Sequence, residues 1–314
     1  MTTMNDHDSC IILNLLNGIG GLSSWKSRGT GINALIAACG SVSAVFSPDA
    51  GSLAHFCGLT QEQAYRISRW REFVDLDHEL TLAEKSGATI LCRTDDGYPE
   101  SLRGLRNPPL CLYLRGTLPD DLAFRSIAIV GTRTPSGRGL YLTRAFSASA
   151  AIRGWTTVSG LAVGIDSMAH RSTVEACGRT VAVLGSGLAR IFPDENSGLA
   201  SDILRAGGAI VSEYPMETDA TRYTLPRRNR IIAGLSRCTL VIEAAQTSGA
   251  LMTASHARER GCRVFAVPGE ADDSMTAGCN DLIRHGALPV TDFRDILNAF
   301  RPPGGYFSPP APIN

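Results

Sequence analysis

Between Ile127 and Val290 the chain repeats a short apolar run, a turn rich in Gly or Ser, and then a helical periodicity. The runs are Ile127–Val130, Thr156–Ser159, Val181–Leu184, Ala209–Ser212, Thr239–Ile242, Arg263–Val267 and Leu288–Val290. Helical patterns separate most of them, at Leu140–Ile152, Ser167–Ala176, Ser197–Ala206 and Ala250–Arg260. Apolar strands that do not alternate with polar residues must be buried on both faces. Strands alternating with helices then predict an α/β fold, a doubly wound parallel sheet with ligands bound beyond the carboxyl ends of its strands.

The segment before the repeat has a different texture. Ala64, Ile67, Trp70, Phe73 and Val74 recur at spacings of three and four, which predicts a small all-helical region over residues 1–90. Residues 91–300 carry the α/β region. Its start holds the turn sequences Asp96-Gly97-Tyr98-Pro99 and Asn107-Pro108-Pro109, then an expected edge strand at Leu110–Leu114. Residues 301–314 contain five prolines and are expected to form an unpacked tail.

Four strand-to-helix turns concentrate the chemistry. The first spans Gly131, Thr132, Arg133, Ser136 and Gly139, and the second Ser159, Gly160, Gly164 and Asp166. The third, Thr224 to Gly234, places Arg227, Arg228, Asn229 and Arg230 behind Pro226, and the fourth holds Thr247, Ser248, Gly249 and Thr253. Small residues at such turns let backbone N–H groups and helix N-termini approach a phosphate. Each turn alone also reads as a tight strand–helix connection, and Asp166 and His170 as a pair on one helical face. Four turns at one sheet edge favour an anion site. Gly185-Ser186-Gly187 lacks the third glycine of a dinucleotide fingerprint, and no Walker lysine follows Gly131.

Thirty basic and thirty acidic residues balance to zero net charge, which excludes a uniformly basic coat for nucleic acid. Locally the balance breaks. Residues 122–165 carry Arg125, Arg133, Arg138, Arg144 and Arg153 without an acid. Residues 220–242 carry Arg222, Arg227, Arg228, Arg230 and Arg237, again without one. Arginine suits forked contacts to phosphate. The nine cysteines are all at least seventeen residues apart, so no zinc-ribbon or redox spacing occurs, and no metal or cofactor is expected. Their odd number fits a reducing compartment, and no apolar stretch reaches the ~20 residues of a membrane span. A cytoplasmic, membrane-free protein is expected.

The ordered motifs "IVGTR", "SGLAVGIDSMAH", "VAVLGSGLARIFPDEN", "SEYP", "LPRRNRIIAGLS", "SGALMTA", "VFAVPG" and "GCNDLIRHGA" resemble those of the DprA/Smf family from about Tyr98 to Ile296. The resemblance implies a Rossmann-like fold, binding of single-stranded DNA during natural transformation, loading of the RecA recombinase, and a homodimer. It also implies that Arg133, Ser159, Gly160, Gly164, Arg227–Arg230, Ser248 and Gly249 line the DNA pocket. "LLNGIGG" at Leu15–Gly21 and "FCGLTQEQA" at Phe56–Ala64 resemble hairpins of SAM or helix-hairpin-helix modules. Departures from the family pattern are Val163, the acidic Glu270, Asp272 and Asp273, and an end without a winged helix.

Two alternatives stay open on sequence. One is a phosphoribohydrolase-like enzyme of the same superfamily, although His256 stands where its catalytic Glu is expected. The other is a sensor of a small nucleotide. The reading favoured is a binder without catalytic residues.

Overall fold

The computed structural model describes residues 4–18, 32–47, 55 and 57–301. Nine strands form one sheet in the order β1-β2-β6-β5-β4-β3-β7-β8-β9. They are β1 (Ala88–Cys92), β2 (Cys111–Gly116), β3 (Ser126–Val130), β4 (Thr156–Ser159), β5 (Thr180–Val183), β6 (Ala209–Ser212), β7 (Cys238–Val241), β8 (Arg263–Ala266) and β9 (Leu288–Pro289). From β6 to β9 all neighbours are parallel, while β2 runs antiparallel to both β1 and β6.

The seven strands read from the apolar runs occur within a residue of their expected positions. The reason is visible in β3, where Ile127 and Ile129 enter one hydrophobic cluster and Ala128 and Val130 another on the opposite face. Both faces are covered, so every position is apolar or small. Fully burying one such side chain contributes about 1.5–3 kcal/mol.

The strand expected at the edge, Leu110–Leu114, is not at the edge. It becomes β2, and β1 pairs outside it with Cys92 opposite Cys111. β1 escapes sequence reasoning because it is half exposed and only five residues long, directly after a helix. Short helices at Ala277–Arg284 and Phe293–Ala299 were not expected either.

The N-terminal segment is helical where described, at Asp6–Gly18, Ile32–Cys39, Gln61–Ser68 and Leu76–Lys85. Thr60 and Gln63 form a reciprocal capping box that starts the third of these. Ile11, Leu13, Leu35 and Ile67 share a cluster with Tyr113, Ala182 and Ile210 of the sheet. Of the two hairpin motifs, residues 19–21 and Phe56 lie outside the described residues, as does the proline-rich stretch after Arg301. No described helix is long and apolar enough to cross a membrane.

Candidate functional site

Strand order reverses between β3 and β7: the chain leaves β3 toward β4 on one side and β7 toward β8 on the other. Crossovers that part in this way open a crevice above the strand ends. A cavity of about 420 Å³ sits there, lined by Gly131, Thr132, Arg133, Asp166, Arg228, Asn229, Ser248, Gly249 and Thr253 among others. A smaller cavity of about 160 Å³ adjoins it, sharing Arg133, Ala162, Leu225 and Arg228 and adding Gly160, Val163 and Phe192. Together they form a trough.

The first loop is held from β7. Thr132 N–H donates to the Glu243 carbonyl at 2.8 Å. The buried Glu243 carboxylate accepts from Ser136 twice, from its N–H at 3.1 Å and its hydroxyl at 2.6 Å. Ser136 Oγ in turn accepts from Gly139 N–H, capping helix Gly137–Ile152. Gly131 and Gly164 are required by close approach: a Cβ on Gly131 would strike Ile165, and one on Gly164 (φ +87°) would strike the backbone of Thr132 and Arg133. Glu243, which braces this loop, is absent from the residues the sequence singles out. A lone Glu at a strand end gives no signal until the partner loop is folded over it.

The second loop is a clamp rather than a donor array. Ser159 is fully buried and donates to the Ile129 carbonyl at 2.6 Å. Gly160 N–H is taken by Asp166 Oδ2 at 3.1 Å. Leu161 adopts a left-handed φ of 58°, and its carbonyl accepts from Asn196 Nδ2 at 2.8 Å. Asp166 and His170, expected as a pair on one face, turn apart. Asp166 faces Arg228 at 3.8 Å, whereas His170 Nδ1 meets Thr180 Oγ1 at 2.6 Å. Burial pushes the Asp166 carboxyl up, with Arg228 opposing it, and drives the His170 imidazole down to about 3.

The arginine cluster divides. The polypeptide breaks at Arg228 between helices Thr224–Arg227 and Asn229–Gly234. Arg228 is buried and donates from Nη1 to the carbonyls of Gly160 and Val183, so it fastens the third loop onto the ends of β4 and β5. Arg230 points away from the trough into a buried ion pair with Glu213. Arg227 is half-buried and lines neither cavity. Asn229 Nδ2 donates to the Gly249 carbonyl at 3.1 Å and ties the third loop to the fourth.

Of the ten arginines in the acid-free stretches, Arg133 and Arg228 line the trough. Arg237 precedes β7 and stacks on Phe300, while Arg153 lies over Phe293. Linear proximity misled here, because each stretch covers both ends of its strand and only one end faces the crevice. Arg133 is exposed and lines both cavities. Open space surrounds the Cα of Gly249, so the fourth loop offers bare backbone to a ligand. The exposed aromatic at the trough is Phe192, 44% accessible. Tyr223 is exposed and stacked by Arg222, yet it lines neither cavity.

A Rossmann-like sheet with a trough at its switch point, walled by Gly-rich turns and the exposed Arg133, places the chain among α/β proteins with a crevice at the carboxyl edge of the sheet. The chain belongs to the DNA recombination-mediator protein A family, whose model matches residues 89–301. It is 38% identical to protein Smf of Escherichia coli over 257 residues, which cover 82% of this chain and 68% of that protein. The X-ray structure of DNA processing protein A from Streptococcus pneumoniae superposes with a TM-score of 0.77 at 30% identity, covering 93% of this chain and 98% of that one. A DNA processing protein A from Helicobacter pylori, described for its single-stranded DNA binding mode, gives 0.60 at 26% identity over 68% of this chain and 94% of that one.

Proposed function

We propose that this chain binds single-stranded DNA in the switch-point trough and passes it to the RecA recombinase, acting as a cytoplasmic homodimer in DNA uptake and recombination. The observation that carries the reading is the adjacency of the two cavities, which share Arg133, Ala162, Leu225 and Arg228 and so stand side by side at the carboxyl edge, as a polymer with successive phosphates and bases requires. Arg133 supplies charge to a phosphate, the Ser248-Gly249 turn supplies close backbone approach, and Phe192 supplies a face for a base. Arg228, Ser159, Asp166 and Asn229 act as the frame that fixes these loops. The S. pneumoniae and H. pylori structures support the same assignment, because both are DNA processing proteins of this fold.

The hydrolytic alternative needs a free carboxylate or imidazole beside the ligand. Asp166, the carboxylate of the larger cavity, is committed to Gly160 and Arg228, and His256 sits on helix Ala250–Glu259 near Glu259, outside the lining, which leaves that alternative only the exposed Glu195 of the smaller cavity.

Fluorescence anisotropy with a labelled single-stranded oligonucleotide across a salt series tests the proposal, with duplex and mononucleotide as competitors. A polymer ligand gives an affinity falling with log salt at about 0.7 per neutralised phosphate, over several phosphates. Tight, single-strand-selective binding leads to RecA filament assembly as the next assay. Displacement by mononucleotide at equal concentration, with a flat salt slope, would replace the DNA reading with a nucleotide sensor.

A further inference from the structure

Where the first helix, Asp6–Gly18, meets the sheet edge, three chemically distinct donors converge. His7 Nδ1 lies 3.0 Å from Asp95 Oδ2, and together with Cys92 Sγ these ligand atoms all fall within 4.8 Å of one another. Cys92 ends β1, Asp95 belongs to the turn after it, and His7 comes from a helix 85 residues earlier in the chain. Two further free thiols frame the site: Cys111 Sγ is 3.8 Å from Cys92 Sγ across the β1–β2 pair, and Cys10 approaches Cys92 from the helix side.

We propose that His7, Cys92 and Asp95 form a zinc-binding site that fastens the N-terminal helix to the sheet edge. An imidazole, a thiolate and a carboxylate are the three donor types zinc accepts. Tetrahedral bonds of about 2.0–2.3 Å separate donor atoms by about 3.3–3.8 Å, so the present spacing needs displacements of an ångström or so. The site has an entry path as well. His7 and Asp95 are partly exposed, with side-chain accessibilities of 40% and 27%, whereas Cys92 is fully buried. Zinc enters from that side and keeps a water in its fourth position.

The proton balance is simple. Cys92 Sγ now lies 3.3 Å from the His7 carbonyl and donates to it; on binding, that thiol proton leaves to solvent and the sulfur coordinates as thiolate. Zinc takes the place of the proton between His7 Nδ1 and Asp95, and the ring carries its N–H on Nε2. Because binding releases that proton, uptake favours higher pH. The site does not touch the trough and stands independently of the DNA reading.

The test uses the untagged full chain, demetallated and then titrated with Zn²⁺ and with Co²⁺ as a spectroscopic probe. One equivalent of zinc is expected, with a rise in Tm, and cobalt should give tetrahedral visible bands and a near-ultraviolet thiolate band. Cys92→Ser removes the thiolate band. His7→Gln, at a half-exposed position that leaves the core intact, weakens zinc by at least the ~10–100-fold that even an outer-shell change costs. Absence of stoichiometric binding, or affinity unchanged in His7→Gln, overturns the proposal.

Discussion

The guanidinium of Arg228 occupies the space that any side chain at position 160 would need, since a Cβ built on Gly160 runs into its Cζ and both terminal nitrogens. Gly160 is therefore small to let an arginine lie beneath the trough, and that arginine grips the carbonyls at the ends of two strands. Gly160→Ala is expected to cost about 1–3 kcal/mol as an overpacked core position. Urea unfolding would show it as a lower midpoint with an unchanged slope.

Arg228 and Arg133 should separate frame from contact. Replacing Arg228 with Met leaves Asp166 buried without its cation and is expected to cost ~3–5 kcal/mol of stability. Arg133→Ala, at an exposed position, should stay within ~0.5 kcal/mol of the parent in unfolding. Its effect falls on DNA: affinity drops for every sequence, and the salt slope decreases by about 0.7, one phosphate's worth. Equal stability losses in the two variants would contradict this division.

The parallel sheet was legible because its strands are buried on both faces, which writes itself into consecutive residues such as Ile127–Val130. The four turns at the carboxyl edge were legible for a similarly local reason, since Gly131 and Gly164 answer to close backbone approach. What each arginine does was not legible. Arg228 and Arg230 are two apart in sequence, yet one turns under β4 and β5 and the other toward Glu213 just beyond β6. The acids that decide this, Asp166 and Glu213, lie outside the acid-free stretches. Cysteine spacing failed for the same reason at Cys92, whose neighbours His7 and Cys111 are brought together by tertiary packing alone.

Ser136 links helix, loop and strand through one oxygen, donating to Glu243 and accepting from Gly139. Losing an N-cap hydroxyl costs about 0.5–2 kcal/mol. Ser136→Ala also deprives the buried Glu243 of a charge-assisted bond, so a total near ~2–3 kcal/mol is expected by urea unfolding. DNA affinity of the folded variant should change less than in Arg133→Ala, because this hydroxyl is committed within the protein.

His170 makes stability depend on pH. Its imidazole is fully buried, with Nδ1 bonded to Thr180 and Nε2 without a partner, and burial holds its folded pKa at about 3. An unfolded histidine titrates near ~6.5. Between those values the unfolded chain binds the extra proton, so the contribution is complete above ~6.5 and is lost as pH falls, at up to ~1.4 kcal/mol per pH unit. His170→Asn keeps a polar atom near Thr180 without a titrating ring. Its unfolding free energy should therefore fall less steeply than the parent's between pH 6.5 and 4.5, and parallel curves would count against this account.

Phe192 offers the trough an aromatic face that the exposed Tyr223 does not. It is 44% accessible and borders the smaller cavity beside Arg133 and Gly160, so a base whose phosphate meets Arg133 has an apolar surface within the same cavity. Stacking of this kind contributes about 1–3 kcal/mol per base and does not depend on the base's identity. Phe192→Ala is therefore expected to weaken single-stranded DNA roughly five- to 150-fold, conveniently read by anisotropy. Because the lost interaction carries no charge, the salt slope should stay at the parental value, in contrast to Arg133→Ala. Phe192→Tyr should recover most of the affinity, since a phenol keeps the ring face. If Phe192→Ala binds as the parent does, the path of the DNA does not pass through the smaller cavity, and the trough ends at the larger one.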